Sequence, residues 1–156
     1  MAILVKILIV FLTFLFMEGV AWFTHKFVMH GLLWNWHEDH HQPHHKHGWW
    51  ERNDLFFLVF AIPSIILFFI GVKDFSAPFF WIGLGIMIYG MAYFFVHDIF
   101  IHQRIPPLLK YTDNAYFRAI RKAHKVHHKH MGKEHGECFG MLFVPFKYFR
   151  ESKLIK

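Results

Sequence analysis

Three long apolar runs dictate what this chain can become. From Leu55 to Val72, and again from Phe75 to Val96, no Asp, Glu, Lys or Arg interrupts the sequence, and from about Ile3 to Phe23 only Lys6 and Glu18 do. A helix of about 20 apolar residues spans the hydrocarbon core of a bilayer. A soluble chain of 156 residues has no interior large enough for the surplus, because 55% of its residues are hydrophobic and 21 of them are Phe. The sequence therefore predicts an all-α integral membrane protein, a single domain over residues 1–156, with crossings at about 3–23, 55–72 and 75–96. A cleaved leader is the other reading of the first run, but no small-x-small site follows it and histidines begin at once. The stretch Phe139–Phe149 is too short for a crossing and is broken by Pro145, so three transmembrane helices are expected, four at most. That stretch reads as an interfacial segment lying over the site.

Charge gives the orientation. The formal net charge is +6, yet twelve of the seventeen Lys and Arg residues follow His102, and the hairpin between the second and third runs carries only Lys73. This asymmetry is the positive-inside pattern and predicts a cytoplasmic cap formed by residues 25–53 and 97–156. It also removes the need for a nucleic-acid partner. Cys138 is the only cysteine, so neither a disulfide framework nor a C-x-x-C ligand pair exists.

With three crossings, the first and third runs end on the same face. Both end in histidine words. "HKFVMH" (25–30) is followed by "HEDHH" (37–41), and "HDIFIH" (97–102) by "HKVHH" (124–128). In H-x2-H-H the three histidines sit at i, i+3 and i+4, one face of a helix. In H-x4-H the two point well apart on a regular helix, and the fit recovers only if the second sits where the helix ends or bulges. Gly31 and Pro106 are candidate terminators. Ten imidazoles exceed the coordination of one ion and suit two. An all-histidine set without Cys suits redox-active iron better than structural zinc. His44, His45 and His47, around Pro43, read as surface residues, and His130 and His135 are left outside the set. Carboxylates placed to accept the other ring N–H are Glu18, Glu38, Asp39, Asp54 and Asp98. Glu18 lies seven residues before His25, at membrane depth, where a carboxylate is a functional candidate.

The segments "HKFVMHGLLWNWHEDHH", "ERNDLF", "FVHDIFIHQRIP" and "AHKVHHKH" resemble the fatty acid hydroxylase and sterol desaturase superfamily, and within it the β-carotene (carotenoid) 3-hydroxylases, from the first crossing to about Phe143. The resemblance implies a non-haem di-iron monooxygenase that hydroxylates carbon 3 of the β-ionone rings, taking β-carotene through β-cryptoxanthin to zeaxanthin. It implies the metal ligands His25, His30, His37, His40, His41, His97, His102, His124, His127 and His128, with no catalytic residue beyond them. Two Fe2+ ions and O2 as co-substrate are expected. The carotenoid would come from among the membrane lipids, and a ferredoxin-like donor, or its reductase, would supply electrons, since the chain has no flavin, haem or iron–sulfur motif. An acidic donor is expected on the basic stretch Arg121–Lys133. The competing readings are a di-iron hydroxylase or desaturase of fatty acyl or sterol substrates, and a non-enzymatic membrane metal-binding protein. The second and third runs offer almost no polar residues for a transport path.

Overall fold

A computed structural model describes residues 1–42, 50–105 and 111–153. Helix α1 (Ile3–Phe23) continues without a break into a π-helix (Thr24–Leu32), then the short α2 (Trp34–His37) and a 3-10 turn (Glu38–His41). A second 3-10 turn (Arg52–Phe57) leads into α3 (Leu58–Gly71). Helix α4 (Phe79–Phe94) again runs on into a π-helix (Phe95–Ile101), and α5 (Ala115–His127) and α6 (Phe146–Lys153) complete the chain. Among the described residues there is no strand. Three continuous rods, Ile3–Leu32, Arg52–Gly71 and Phe79–Ile101, are long and apolar enough to cross a membrane. The protein is an integral membrane protein. Side chains such as Leu4, Phe16 and Phe69 stand fully outward from the rods, as a lipid-facing surface requires.

Lipid gives no hydrophobic drive for helices to associate, so small residues and short hydrogen bonds must bring the rods together. Gly85 supplies the closest approach of α4 to α1: a Cβ there would lie 2.7 Å from the Thr13 Cβ and 2.8 Å from the Val10 carbonyl oxygen. Against α3, Gly83 presents its carbonyl to the Ser64 hydroxyl, which donates across 3.0 Å. Met17, Ala21, Ile86 and Tyr89 fill the seam between α1 and α4. On the far face Asp74 accepts from the backbone N–H and hydroxyl of Ser76, closing the turn between α3 and α4.

Helix α5 starts at Asn114, whose side chain accepts from the N–H groups of Tyr116 and Phe117. Its apolar stripe, Ala119, Ile120 and Ala123, is buried against the second π-helix and α6. Arg121 donates to the Phe100 carbonyl at 2.9 Å while its guanidinium stacks on the Phe100 ring at 4.0 Å. That docking brings the last turn of the same buried side of α5, which carries His124, His127 and the half-buried His128, towards the ends of the first and third rods. Replacing Gly85 by Val should force α4 away from α1 and destabilise the bundle by about 1–3 kcal/mol. Thermal unfolding in detergent measures this, and an unchanged midpoint would show that the seam is not tightly packed.

Candidate metal centre

The two π-helices explain the spacing of the first histidine word. Backbone bonds run from Leu33 N–H to the Val28 carbonyl (2.8 Å) and from His102 N–H to the His97 carbonyl (2.9 Å). Each reaches five residues back, so residue i+5 comes round over residue i. On a regular helix of about 3.6 residues per turn those side chains would diverge by about 140°. Here the rings of His25 and His30 are 5.2 Å apart, and those of His97 and His102 are 4.6 Å apart. Gly31 does not stop the helix at His30, because the π-helix carries on to Leu32. Pro106 lies outside the described residues.

The expectation of one helical face holds for His124, His127 and His128 on α5 and its C-cap, but not for the first H-x2-H-H word, where α2 ends at His37 and a 3-10 turn carries His40 and His41. His37, His41 and His127 join His25 and His30 in one group, with a potential ligand atom of each within 4.8 Å of all the others. His40, His102, His124 and His128 form a second group on the same criterion, and His97 joins it with its Nε2 3.0 Å from that of His40. Each group therefore takes the H-x4-H pair of one copy, the i and i+4 members of that copy's H-x2-H-H word, and the i+3 member of the other copy's word. The exchange of His40 and His127 ties the two copies together. This is why the words occur twice and in the same order.

Seven of the ten imidazoles have an acceptor at Nδ1. His25 faces the Phe139 carbonyl (3.0 Å), His30 that of Lys133 (3.2 Å), His41 that of His130 (3.1 Å) and His127 that of Glu137 (2.8 Å). His37 faces the Asn53 side-chain oxygen (2.6 Å), His40 the Glu51 carboxylate (2.7 Å) and His97 the Asp98 carboxylate (3.2 Å). Carbonyls and carboxylates only accept, so Nδ1 carries the proton and Nε2 of each neutral ring is left with a bare lone pair. Those Nε2 atoms point at one another: His25 to His37 and His41 to His37 at 3.2 Å, and His30 to His127 at 3.1 Å. In the second group His102 and His128 approach the His124 Nε2 at 2.9 and 2.8 Å.

Protons do not fill these gaps. Burial, followed by repulsion from neighbouring imidazoles, holds His37, His40 and His124 well below the ordinary histidine range. The same order of causes lowers His41 to about 4 and His127 to about 3. At neutral pH these five rings are uncharged, and converging lone pairs call for a metal cation. The donor set fits one: at a metal–nitrogen distance of about 2.1 Å, ligands at right angles lie about 3.0 Å apart and tetrahedral ones about 3.4 Å. The second group's contacts of 2.8–3.0 Å match the former, and the first group's 3.1–3.2 Å fall between the two, so both groups are at ligand spacing for a metal ion.

Of the five carboxylates expected to orient ligands, Asp98 meets one. Glu18 accepts from Tyr89 and from backbone N–H groups of residues 141–143. Glu38 is exposed. Asp39 accepts from the Arg52 N–H at 2.7 Å, and Asp54 pairs with Arg104 at 2.6 Å. Glu51 and Asn53 were not anticipated, although both lie in the "ERND" segment. Arg104, within 2.6 Å of Glu51 and 3.3 Å of Asp98 as well as paired with Asp54, offsets part of the carboxylate charge behind the second group. His130 contributes only its carbonyl and His135 is exposed. His44, His45 and His47 lie outside the described residues.

A cavity of about 410 Å³ adjoins the second group and is walled by Phe56, Phe57, Phe60, Tyr93 and Phe94, with His97, Asp98 and Arg104 among its polar residues. On the other side His102 and His128 border a shallow surface depression beside Lys125.

Residues 10–148 match the fatty acid hydroxylase family. The chain belongs to that family. It is 43% identical over 139 residues to a β-carotene hydroxylase of Pantoea ananas, covering 88% of this chain and 77% of the relative. A β-carotene hydroxylase of Pseudescherichia vulneris is also 43% identical, over 141 residues, 90% of this chain and 78% of the relative. That of Paracoccus sp. (strain PC1) is 41% identical over 142 residues, 90% of this chain and 85% of the relative. No solved structure matches the chain.

Two expectations follow from this geometry. Unfolding returns His41 and His127 to the ordinary value of 6.5 from folded values of about 4 and about 3, so the unfolded chain binds more protons between those limits. The metal-free protein should be most stable above pH 6.5 and lose stability as the pH falls through that window, flattening below about 4 for the His41 contribution. Denaturant unfolding at several pH values reads this, and a flat profile from pH 7 to 4 would contradict it. Separately, Glu51→Gln removes the anion behind His40 and should weaken binding of one ion by about 10–100-fold, measured by metal titration. Unchanged affinity would show that the His40–Glu51 contact carries no weight.

Proposed function

We propose that the protein is an O2-dependent carotenoid hydroxylase that inserts oxygen at carbon 3 of a β-ionone ring. The reading rests on one juxtaposition: paired histidine groups beside an aromatic cavity set among the membrane rods. The β-carotene hydroxylases it resembles over most of its length supply the substrate class. His25, His30, His37, His41 and His127 would hold one iron ion, and His40, His97, His102, His124 and His128 the other. When bound, the iron pair supplies the reductive activation of O2 that a C–H hydroxylation needs.

The chain's own residues do the rest. A cavity of about 410 Å³ is in the range of small-molecule sites. Its Phe and Tyr walls take up an end ring and exclude water, while the polyene remains among apolar helices. A carotenoid is about as long as the hydrocarbon core is thick, so the second ring reacts only after the molecule leaves and returns reversed. The Nδ1 contacts hold the imidazoles so that their Nε2 lone pairs face inward throughout. Arg104 pairs with Glu51 and Asp98 at the cavity edge and offsets part of their charge.

Electrons come from outside, from an acidic ferredoxin-like donor on the cytoplasmic face. Lys125 and Lys129 are exposed on α5 and the turn that follows it, beside the half-buried His128, whereas Lys122 is engaged with Glu151. The positive-inside distribution supports a cytoplasmic position for this surface.

Expression in cells that accumulate β-carotene should convert the pigment to more polar products, with the mono-hydroxylated one appearing first on chromatography. Unaltered pigment from iron-loaded protein, or oxidation of fatty acyl or sterol lipids instead, would refute the assignment. Charge reversal of Lys125 and Lys129 should lower donor-dependent turnover severalfold at unchanged metal content. Equal turnover would place the donor elsewhere.

A further inference from the structure

We propose that Glu18, buried in the membrane part of α1, is a positioning residue for the first histidine group alone. The inference builds on the reading that each group holds an ion. Four of the five Nδ1 acceptors in the first group are main-chain carbonyls of one stretch: His130, Lys133, Glu137 and Phe139. Residues 130–145 form no helix or strand, so no ladder of hydrogen bonds holds these carbonyls in place. His135 and Cys138 even stand at positive φ, 63° and 62°, where a side chain is strained. Such a stretch keeps its shape only if both ends are fixed.

One end leaves α5. The other is fixed by Glu18, 6% exposed. Its Oε1 accepts from three successive N–H groups, Met141 and Leu142 at 2.8 Å and Phe143 at 3.0 Å. Its Oε2 accepts from the Tyr89 hydroxyl at 2.7 Å. Consecutive N–H groups turned to one oxygen make an anion-binding nest, and bonds to an ionised carboxylate are stronger than neutral ones. Gly140 lets the turn close on the carboxylate, since a Cβ there would lie 3.2 Å from Oε1 and 2.9 Å from the Phe143 carbonyl oxygen. The turn starts two residues after Phe139, whose carbonyl accepts from His25 and whose ring packs on His25, His30 and His127. The known orienting contacts of the second group come from Glu51 and Asp98 instead. Loss of Glu18 should thus be felt on one side only.

The full-length protein in detergent, titrated with Co2+ or Fe2+, tests this. The parent should take up two ions per chain. Glu18→Ala should weaken one of them by about 10–100-fold and leave the other at parental affinity. Adding His25→Ala to that variant should remove the weakened ion and leave the tight one at parental affinity, whereas adding His102→Ala should remove the remaining tight ion. If Glu18→Ala does not fold, Glu18→Gln keeps one acceptor oxygen without the charge and should show the same one-sided loss at smaller size. Two ions bound at parental affinity in the folded variant, or equal weakening of both, would overturn the proposal. A parent chain that takes up fewer than two ions would overturn the two-ion reading itself, and this proposal with it.

Discussion

Neutral imidazoles whose bare nitrogens face one another across about 3 Å repel unless a cation sits between them. Everything else in this structure arranges for that confrontation. The π-helices bring His30 and His102 round to their partners, α5 is docked so that three more histidines arrive from another direction, and fixed acceptors keep the Nδ1 protons pointing outward. Metal coordination in place of hydration would offset the cost of such a polar cluster next to a bilayer, and burial holds His40 and His124 deprotonated.

The two groups are alike in composition and unlike in surroundings. Most of the first group leans on carbonyls of a single irregular stretch, while His40 and His97 in the second lean on carboxylates paired with Arg104. Hydrogen bonding to a carboxylate makes an imidazole a stronger donor than bonding to a carbonyl does. Two ions held here would therefore differ in electronic character, and the cavity adjoins the second.

Much of this could be read from the residues. Unbroken apolar runs gave the rods, and the paired words gave the ten histidines, because both signals are carried by side chains at fixed spacing. The limits were equally physical. H-x4-H is awkward on a regular helix and pointed to an end or a bulge; the π-helices supply the bulge, but nothing local in "HKFVMH" or "HDIFIH" distinguishes the two. The division of His37, His40 and His41 between two groups depends on a 3-10 turn after His37 that breaks the helical face. Carbonyl acceptors from residues 130–139 leave no trace in side-chain identity. Glu18 stood out as a charge at membrane depth, yet Tyr89 and the backbone N–H groups of residues 141–143 that bond to it lie far along the chain, so its role was legible only in three dimensions.

The most direct measurement is anomalous diffraction at the iron edge from crystals of iron-loaded protein. Two peaks are predicted, one ringed by His25, His30, His37, His41 and His127 and the other by His40, His97, His102, His124 and His128. A single peak, or peaks away from these imidazoles, would contradict the account.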